Sequence, residues 1–191
     1  MRALFLPIIA AGVLLGGGAP ENTRTYWFRV DEANGQWCGY REEADLTRDA
    51  DLVMTLETAQ VVVRGAKIVE IWNDNSAESG DWTVHDHYVP QGAMTRVRRA
   101  ILMASDEEKV VQTFVINHGR ASRRSVEFFN LSGDQKIRDS GEWRPELALK
   151  EGVAGFGLSG LISRLASGSG SQPVCAGVRQ REIKMAVKSK D

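Results

Sequence analysis

The stretch KIVEIWNDNSAESGDWTVHDHYV, residues 67–89, contains two runs of β-forming residues on either side of Ser79-Gly80. Val, Ile, Trp, Thr and Tyr are enriched in strands, and a turn pair between two such runs is typical of a hairpin. Strands joined by a short turn pair antiparallel. The stretch therefore predicts two neighbouring antiparallel strands.

The same arrangement repeats along the chain. Asn34-Gly35 separates TYWFRV from QWCGY, and Asn-Gly is the strongest short signal for a hairpin. From Gly65 onward, turn residues recur every 12 to 15 residues, at Gly80, Gly92, Asp106, Gly119 and Gly133. The spacing predicts an all-β protein, mainly an antiparallel meander, that forms either an up-and-down barrel or a strongly curved sheet or sandwich.

One segment departs from the β pattern. In GFGLSGLISRLAS, the positions i, i+3, i+4 and i+7 are apolar, which predicts one short helix in the C-terminal half. These positions are Leu158, Leu161, Ile162 and Leu165. The charged stretch 41–52 is poorly periodic, so it predicts a loop with room for one helical turn.

The N-terminus, MRALFLPIIAAGVLLGGGAP, has a basic Arg2, an apolar run over 3–15 and small residues to Ala19. This layout is typical of a secretory signal peptide, here predicted at 1–19. The alternative, a membrane anchor, is less favoured because the apolar run is shorter than the roughly 20 residues that a bilayer requires. We therefore expect export to a periplasm or to the outside of the cell, with no transmembrane segment in the mature chain.

Residues 20–191 are predicted to form a single β-rich globular domain, with a flexible linker at 167–173 before the last strand and a tail at 188–191. The full chain carries 24 basic and 25 acidic side chains. Without Arg2, the only basic residue of the predicted signal peptide, the counts are 23 and 25. This balance argues against nucleic-acid binding, which favours a strong basic excess.

The two cysteines are Cys38 and Cys175. In an exported protein an even number of cysteines most simply predicts a disulfide. Closing this loop would stabilise the fold by about 4–5 kcal/mol in the chain-entropy model. The alternative is a pair of free thiols that act as ligands or nucleophiles.

Two of the three histidines, His85 and His87, alternate along the strand predicted at 82–89 and so share one face. Imidazole is a common ligand of Zn and Cu, and His118 could supply a third ligand from a turn. The alternative is a pair of surface histidines. No cofactor is required by the sequence, and Zn or Cu is the candidate if there is one.

Asp86 points to the opposite face, with apolar neighbours such as Trp82. A buried carboxylate requires a partner, and Arg96, Arg98 and Arg99 follow one strand later. One interpretation is a structural ion pair. The other is a carboxylate–arginine pair that lines a ligand cavity.

The arginines also suggest a site for an anion, because guanidinium groups form forked hydrogen bonds with carboxylates and phosphates. The residues predicted for a ligand site are Trp82, Asp86, Arg96, Arg98 and Arg123. The alternative is a solvated sheet face. Since Arg96 and Arg98 share a face while Arg123 and Arg124 alternate, only part of the group can form one patch.

Three functions follow as hypotheses. The first is an exported, non-catalytic binding module for a small apolar or anionic ligand or an envelope component. The second is a metal-binding protein or metalloenzyme that uses the His85-x-His87 pair. The third is a structural or interaction protein of the cell envelope. The expected partners are accordingly a small molecule or an envelope protein, and the absence of a nucleophile–base motif disfavours an enzyme.

Overall fold

The computed structural model describes most of the chain between residues 22 and 183. The described residues are 22–31, 33–50, 57–104, 107–139, 141, 144–145, 147–168 and 172–183. The predicted signal peptide, the predicted turn at Ser105-Asp106, the tail at 188–191 and part of the linker at 167–173 lie outside them.

Nine strands form one antiparallel sheet in the described part of the chain. They are β1 (Thr23–Asp31), β2 (Gln36–Tyr40), β3 (Glu57–Arg64), β4 (Lys67–Ser76), β5 (Trp82–Gln91), β6 (Met94–Met103), β7 (Glu108–Asn117), β8 (Arg120–Asn130) and β10 (Val174–Ala176). Their spatial order is β10-β2-β1-β3-β4-β5-β6-β7-β8. A separate two-stranded sheet pairs β9 (Leu149–Lys150) with β11 (Glu182–Ile183).

The predicted antiparallel β fold is confirmed, but the barrel alternative is wrong because the nine described strands form an open sheet. Its two edge strands are β10 and β8. Strand β10 is only three residues long, and β8 carries Arg120, Arg123 and Arg124. Short strands and charged side chains are two ways to protect a sheet edge from unwanted pairing, so this sheet does not depend on closure.

The predicted hairpin at Asn34-Gly35 is present, and its local chemistry explains the turn. Gly35 has φ of 64°, a left-handed conformation that glycine adopts without strain. The Asp31 carboxylate accepts hydrogen bonds from the Ala33 backbone N–H and from Asn34 Nδ2. After this hairpin the chain crosses over, so that β3 pairs with the free side of β1.

The crossover contains a helix that the sequence pattern did not predict: α1 (Glu43–Ala50) replaces the expected loop. Two acidic residues, Glu43 and Asp45, lie in its first turn and Arg48 lies in its last, positions that complement the helix dipole. The feature that marks this helix in the sequence is therefore the placement of its charges and not an apolar stripe. It contacts β1 and β2.

One face of the sheet, which we call the inner face, is covered by the C-terminal part of the chain. It presents the buried side chains Tyr26, Phe28, Val61, Ile71 and Tyr88. Against them pack a 3₁₀ helix (Val153–Phe156) and α2 (Ser159–Ser167). The predicted helix is thus confirmed, and its predicted apolar positions are all buried: Leu158, Leu161, Ile162 and Leu165.

The opposite, outer face carries the register partners Trp27, Gln60, Trp72, His87 and Arg98, which run in a row across five strands. Most of these side chains are exposed or half-buried. On β1 and β2, by contrast, the outer-face side chains Arg29, Cys38 and Tyr40 are buried.

The C-terminal segment is attached to the sheet at β10. Cys175 pairs in register with Cys38 of β2, and their Sγ atoms lie 2.09 Å apart, the distance of a disulfide bond. The cysteine pairing predicted from the sequence is therefore present. None of the helices among the described residues has both the length and the apolar character needed to cross a bilayer.

Candidate functional site

A groove of about 620 Å³ lies between α2 and the end of the sheet formed by β1, β3 and β4. Tyr26 and Val63 line it from the inner face, Ile68 from the start of β4, and Ile162 and Ala166 from α2. Sites for small molecules are typically of this size, mostly apolar, and furnished with few polar groups. In volume the groove is comparable to a small-molecule site.

Arg24 supplies the charge at this groove. It pairs in register with Val63, so its side chain belongs to the inner face, and it is exposed. It makes no ion pair with any described residue, and the described residues that line the groove include no carboxylate. An unpaired guanidinium beside an apolar lining is suited to a ligand that has an anionic group.

A second groove of about 600 Å³ adjoins the first and shares Arg24, Tyr26 and Ala166 with it. Its far side is formed by residues at the start of the crossover, Arg41 and Glu42. The Arg41 side chain is held in place because its Nε donates a hydrogen bond of 2.7 Å to the backbone oxygen of Leu165. Arg24 therefore lies where the two grooves meet.

The predicted carboxylate Asp86 is paired with Arg99 inside the protein. Both of its oxygens accept hydrogen bonds from Arg99, at 2.7 Å each, and both residues are almost fully buried. Arg99 Nη1 also donates to the backbone oxygen of Leu147 in the C-terminal segment. Burial opposes the charge of Arg99, but the hydrogen bonds and charge of Asp86 outweigh it and raise the arginine pKa. This geometry matches the structural ion pair.

The other predicted ligand residues are not brought together. Arg96 and Arg98 are exposed on the outer face. Arg123, on the edge strand β8, pairs in register with the inner-face residue Phe114 of β7. Trp82 is half-buried on the inner face, against the small cluster around Val84. The five predicted residues thus lie on two faces of the sheet.

His85 and His87 share the outer face as predicted, and each is paired with a carboxylate of β4. His85 Nδ1 is 2.7 Å from Asp74 Oδ1, and His87 Nε2 is 2.8 Å from Glu70 Oε1. The ring of His87 also stacks on Trp72, with centroids 3.6 Å apart. Because a carboxylate only accepts, each of these nitrogens carries its proton, which leaves His85 Nε2 and His87 Nδ1 as the free ring nitrogens.

The pKa of His87 is lowered. Burial is the largest cause, the charge of Glu70 opposes it, and Arg98 on the neighbouring strand lowers the pKa further. The third histidine, His118, lies in the turn between β7 and β8. The described residues contain no group of three or more His, Cys, Asp or Glu side chains arranged to hold a metal ion, so the predicted Zn or Cu ligand set is not assembled.

A charged cluster around the buried Lys150, at the other end of the inner face, was not predicted from the sequence. Lys150 Nζ lies 2.7 Å from both Gln180 Oε1 and Glu182 Oε1, and 3.6 Å from Glu57 Oε1. Burial raises the pKa of Glu57, against the opposing charge of Lys150. The cluster joins β3, β9 and β11, so it fastens the C-terminal segment to the sheet. Its members are far apart in sequence, and no local pattern marks them.

Comparisons with protein-family models, with curated proteins and with solved structures gave no match to this chain.

Proposed function

We propose that this chain is an exported, non-catalytic binding module that holds a small amphipathic ligand with an anionic group in the groove beside α2. The observation that carries the proposal is Arg24, an exposed guanidinium without an ion pair among the described residues, at the junction of two grooves. The apolar part of the ligand would contact Tyr26, Val63 and Ile162. Its anionic group would accept hydrogen bonds from Arg24.

An exported location best accommodates this chemistry. The cysteine pair is at disulfide distance, and disulfides persist in oxidising compartments. The apolar N-terminal run followed by small residues supports the same assignment.

The proposal is tested by titrating the exported protein with dodecanoate, a single-chain carboxylate, in a calorimeter. We expect saturable binding with one site. Arg24→Ala should weaken it by about tenfold or more, because a hydrogen bond to a charged group contributes about 1.5–3 kcal/mol. Ala166→Trp should abolish binding, because Ala166 is exposed and its side chain lines both grooves.

Arg164→Ala and Arg164→Trp are the matched controls, because Arg164 is exposed on the same helix and lines neither groove. Both should bind dodecanoate like the unmodified protein. Decyltrimethylammonium, which has a similar chain and the opposite charge, should bind more weakly. No binding of dodecanoate, or equal binding by Arg24→Ala, would refute the proposed function.

A further inference from the structure

Three exposed arginines of β6 and β8 lie on the outer face of the sheet. Arg98 lies opposite His87, and Arg96 is two residues away on the same side of β6. Met94 follows on that side, and its register partner on β7 is in turn opposite Arg120 of β8. Since register partners share a face, the topology places these side chains on one surface that spans β4 to β8.

The positive charge of this surface is not neutralised. Arg96, Arg98 and Arg120 are exposed, and no carboxylate of the described residues lies within 4.0 Å of them. The carboxylate of Glu70, on the neighbouring strand β4, already accepts hydrogen bonds from His87 and from the indole of Trp72. The surface is therefore basic even though the whole chain is slightly acidic.

Large apolar side chains are exposed on the same surface. Trp72 is 40 % exposed and Met94 is 42 % exposed, and they are two of the four exposed large hydrophobic residues of the described chain. These side chains add an exposed apolar component to the basic surface. Tryptophan is enriched where a protein meets the headgroup region of a bilayer.

From this combination we propose that the outer patch, formed by Trp72, Met94, Arg96, Arg98 and Arg120, docks the protein onto the surface of an anionic lipid bilayer. The patch lies on an open sheet face and not in a cleft, so it suits an extended surface better than a small molecule. Arginines near an anionic bilayer add to binding through charge complementarity, while the exposed parts of Trp72 and Met94 contact the headgroup region. This role is independent of the groove on the inner face.

The test is co-sedimentation of the exported protein with vesicles of phosphatidylcholine alone and of phosphatidylcholine containing phosphatidylglycerol. We expect binding only to the anionic vesicles, and loss of binding at high salt. Each arginine of the patch that is replaced by Ser should weaken binding by about fivefold. The variant Arg96→Ser/Arg98→Ser/Arg120→Ser should therefore remain in the supernatant.

The matched control is Arg138→Ser/Arg164→Ser/Arg179→Ser, which removes the same charge from exposed positions outside the patch. It should sediment like the unmodified protein, as should Arg24→Ala, which separates docking from the groove. Circular dichroism verifies that the variants fold. The proposal is overturned if the two triple variants behave alike, or if the protein binds a soluble polyanion such as alginate but not the anionic vesicles.

Discussion

Strand β5 carries three side chains in succession, His85, Asp86 and His87, each of which pairs with an oppositely charged or polar partner on a neighbouring strand. Asp86 points inward and is held by Arg99, with both side chains at most 4 % exposed. His85 and His87 point outward, with side chains 42 % and 23 % exposed. The separations are nearly the same, 2.7–2.8 Å, so distance alone does not distinguish the two faces.

The Asp86–Arg99 pair and the two histidine pairs differ in how deeply they are buried. On the inner face water cannot replace a lost partner, so each member of the Asp86–Arg99 pair depends on the other. On the outer face water and salt screen the histidine pairs, which contribute little to stability and can change partners. The same pair geometry therefore supports the fold on one side and an adaptable surface on the other.

The largest effect is expected from breaking the buried pair. Asp86→Ala should lower the free energy of unfolding by about 3–5 kcal/mol, because it leaves the Arg99 guanidinium buried without a counter-charge. Asp74→Ala, which breaks the exposed pair with His85, should lower it by less than about 1 kcal/mol. Urea denaturation measures both.

A second variant sharpens this comparison. Asp86→Leu/Arg99→Met replaces the pair with apolar side chains and should recover most of the stability that Asp86→Ala loses. If Asp86→Ala lowered the free energy of unfolding no more than Asp74→Ala does, the hydrogen bonds of Arg99 to the C-terminal segment would suffice to hold the guanidinium. Burial would then not be the deciding difference between the two pairs.

The next largest loss of stability is expected from a change in core packing. A Cβ at Gly39 of β2 would lie 2.6 Å from Phe28 Cε1 and 2.7 Å from Leu165 Cδ1. Gly39→Ala should therefore destabilise the protein by about 1–3 kcal/mol through overpacking between the sheet and α2. Gly160→Ala is the control, since a Cβ there meets no atom within 4 Å. Thermal unfolding of the two variants should show a loss of stability for Gly39→Ala alone.

The smallest effect concerns the outer face and its dependence on pH. Because burial holds the pKa of His87 below its ordinary value, the folded state binds fewer protons than the unfolded state as the pH falls past about 6.5. This contribution to stability is present above that pH and is lost progressively as the pH falls towards the lowered pKa. The sign is opposite to that of a histidine whose pKa is raised.

Glu70→Gln should lower the pKa of His87 further, because it removes the charge that opposes burial. Titration of the His87 ring proton by NMR measures the change. Glu78→Gln removes the same charge from an exposed turn and should leave the His87 titration unchanged. A His87 pKa that rises in Glu70→Gln would contradict the assigned cause.

The features that the sequence predicted have local signatures. Asn34-Gly35 marks its hairpin through the backbone conformation of one glycine, and Leu158 to Leu165 mark α2 through a helical period. The alternation along β5 placed Asp86 on the face opposite to the histidines, and the register of β6 then selected Arg99 from the three candidate arginines. All three depend on neighbours within one turn or one strand.

The features that the sequence did not predict depend on distant parts of the chain. Arg24 gains its significance only because Ile162 and Ala166 of α2 pack close to it. The turn spacing was compatible with closure, but it does not specify that β3 pairs with the far side of β1 or that β10 joins β2. Lys150 and Glu57 meet for the same reason, through tertiary packing without a local pattern.

The strand order also has a consequence for the order in which the fold forms during synthesis. A chain that emerges N-terminus first can complete the hydrogen bonding of β1 to β8 before β10 appears, since only β10 comes from the C-terminal segment. Until that segment arrives, the inner-face aromatic residues and the Asp86–Arg99 pair face solvent. The arrival of the C-terminal segment thus ends the period in which the inner face is exposed and prone to aggregate, and the Cys38–Cys175 contact forms only after β10 has reached β2.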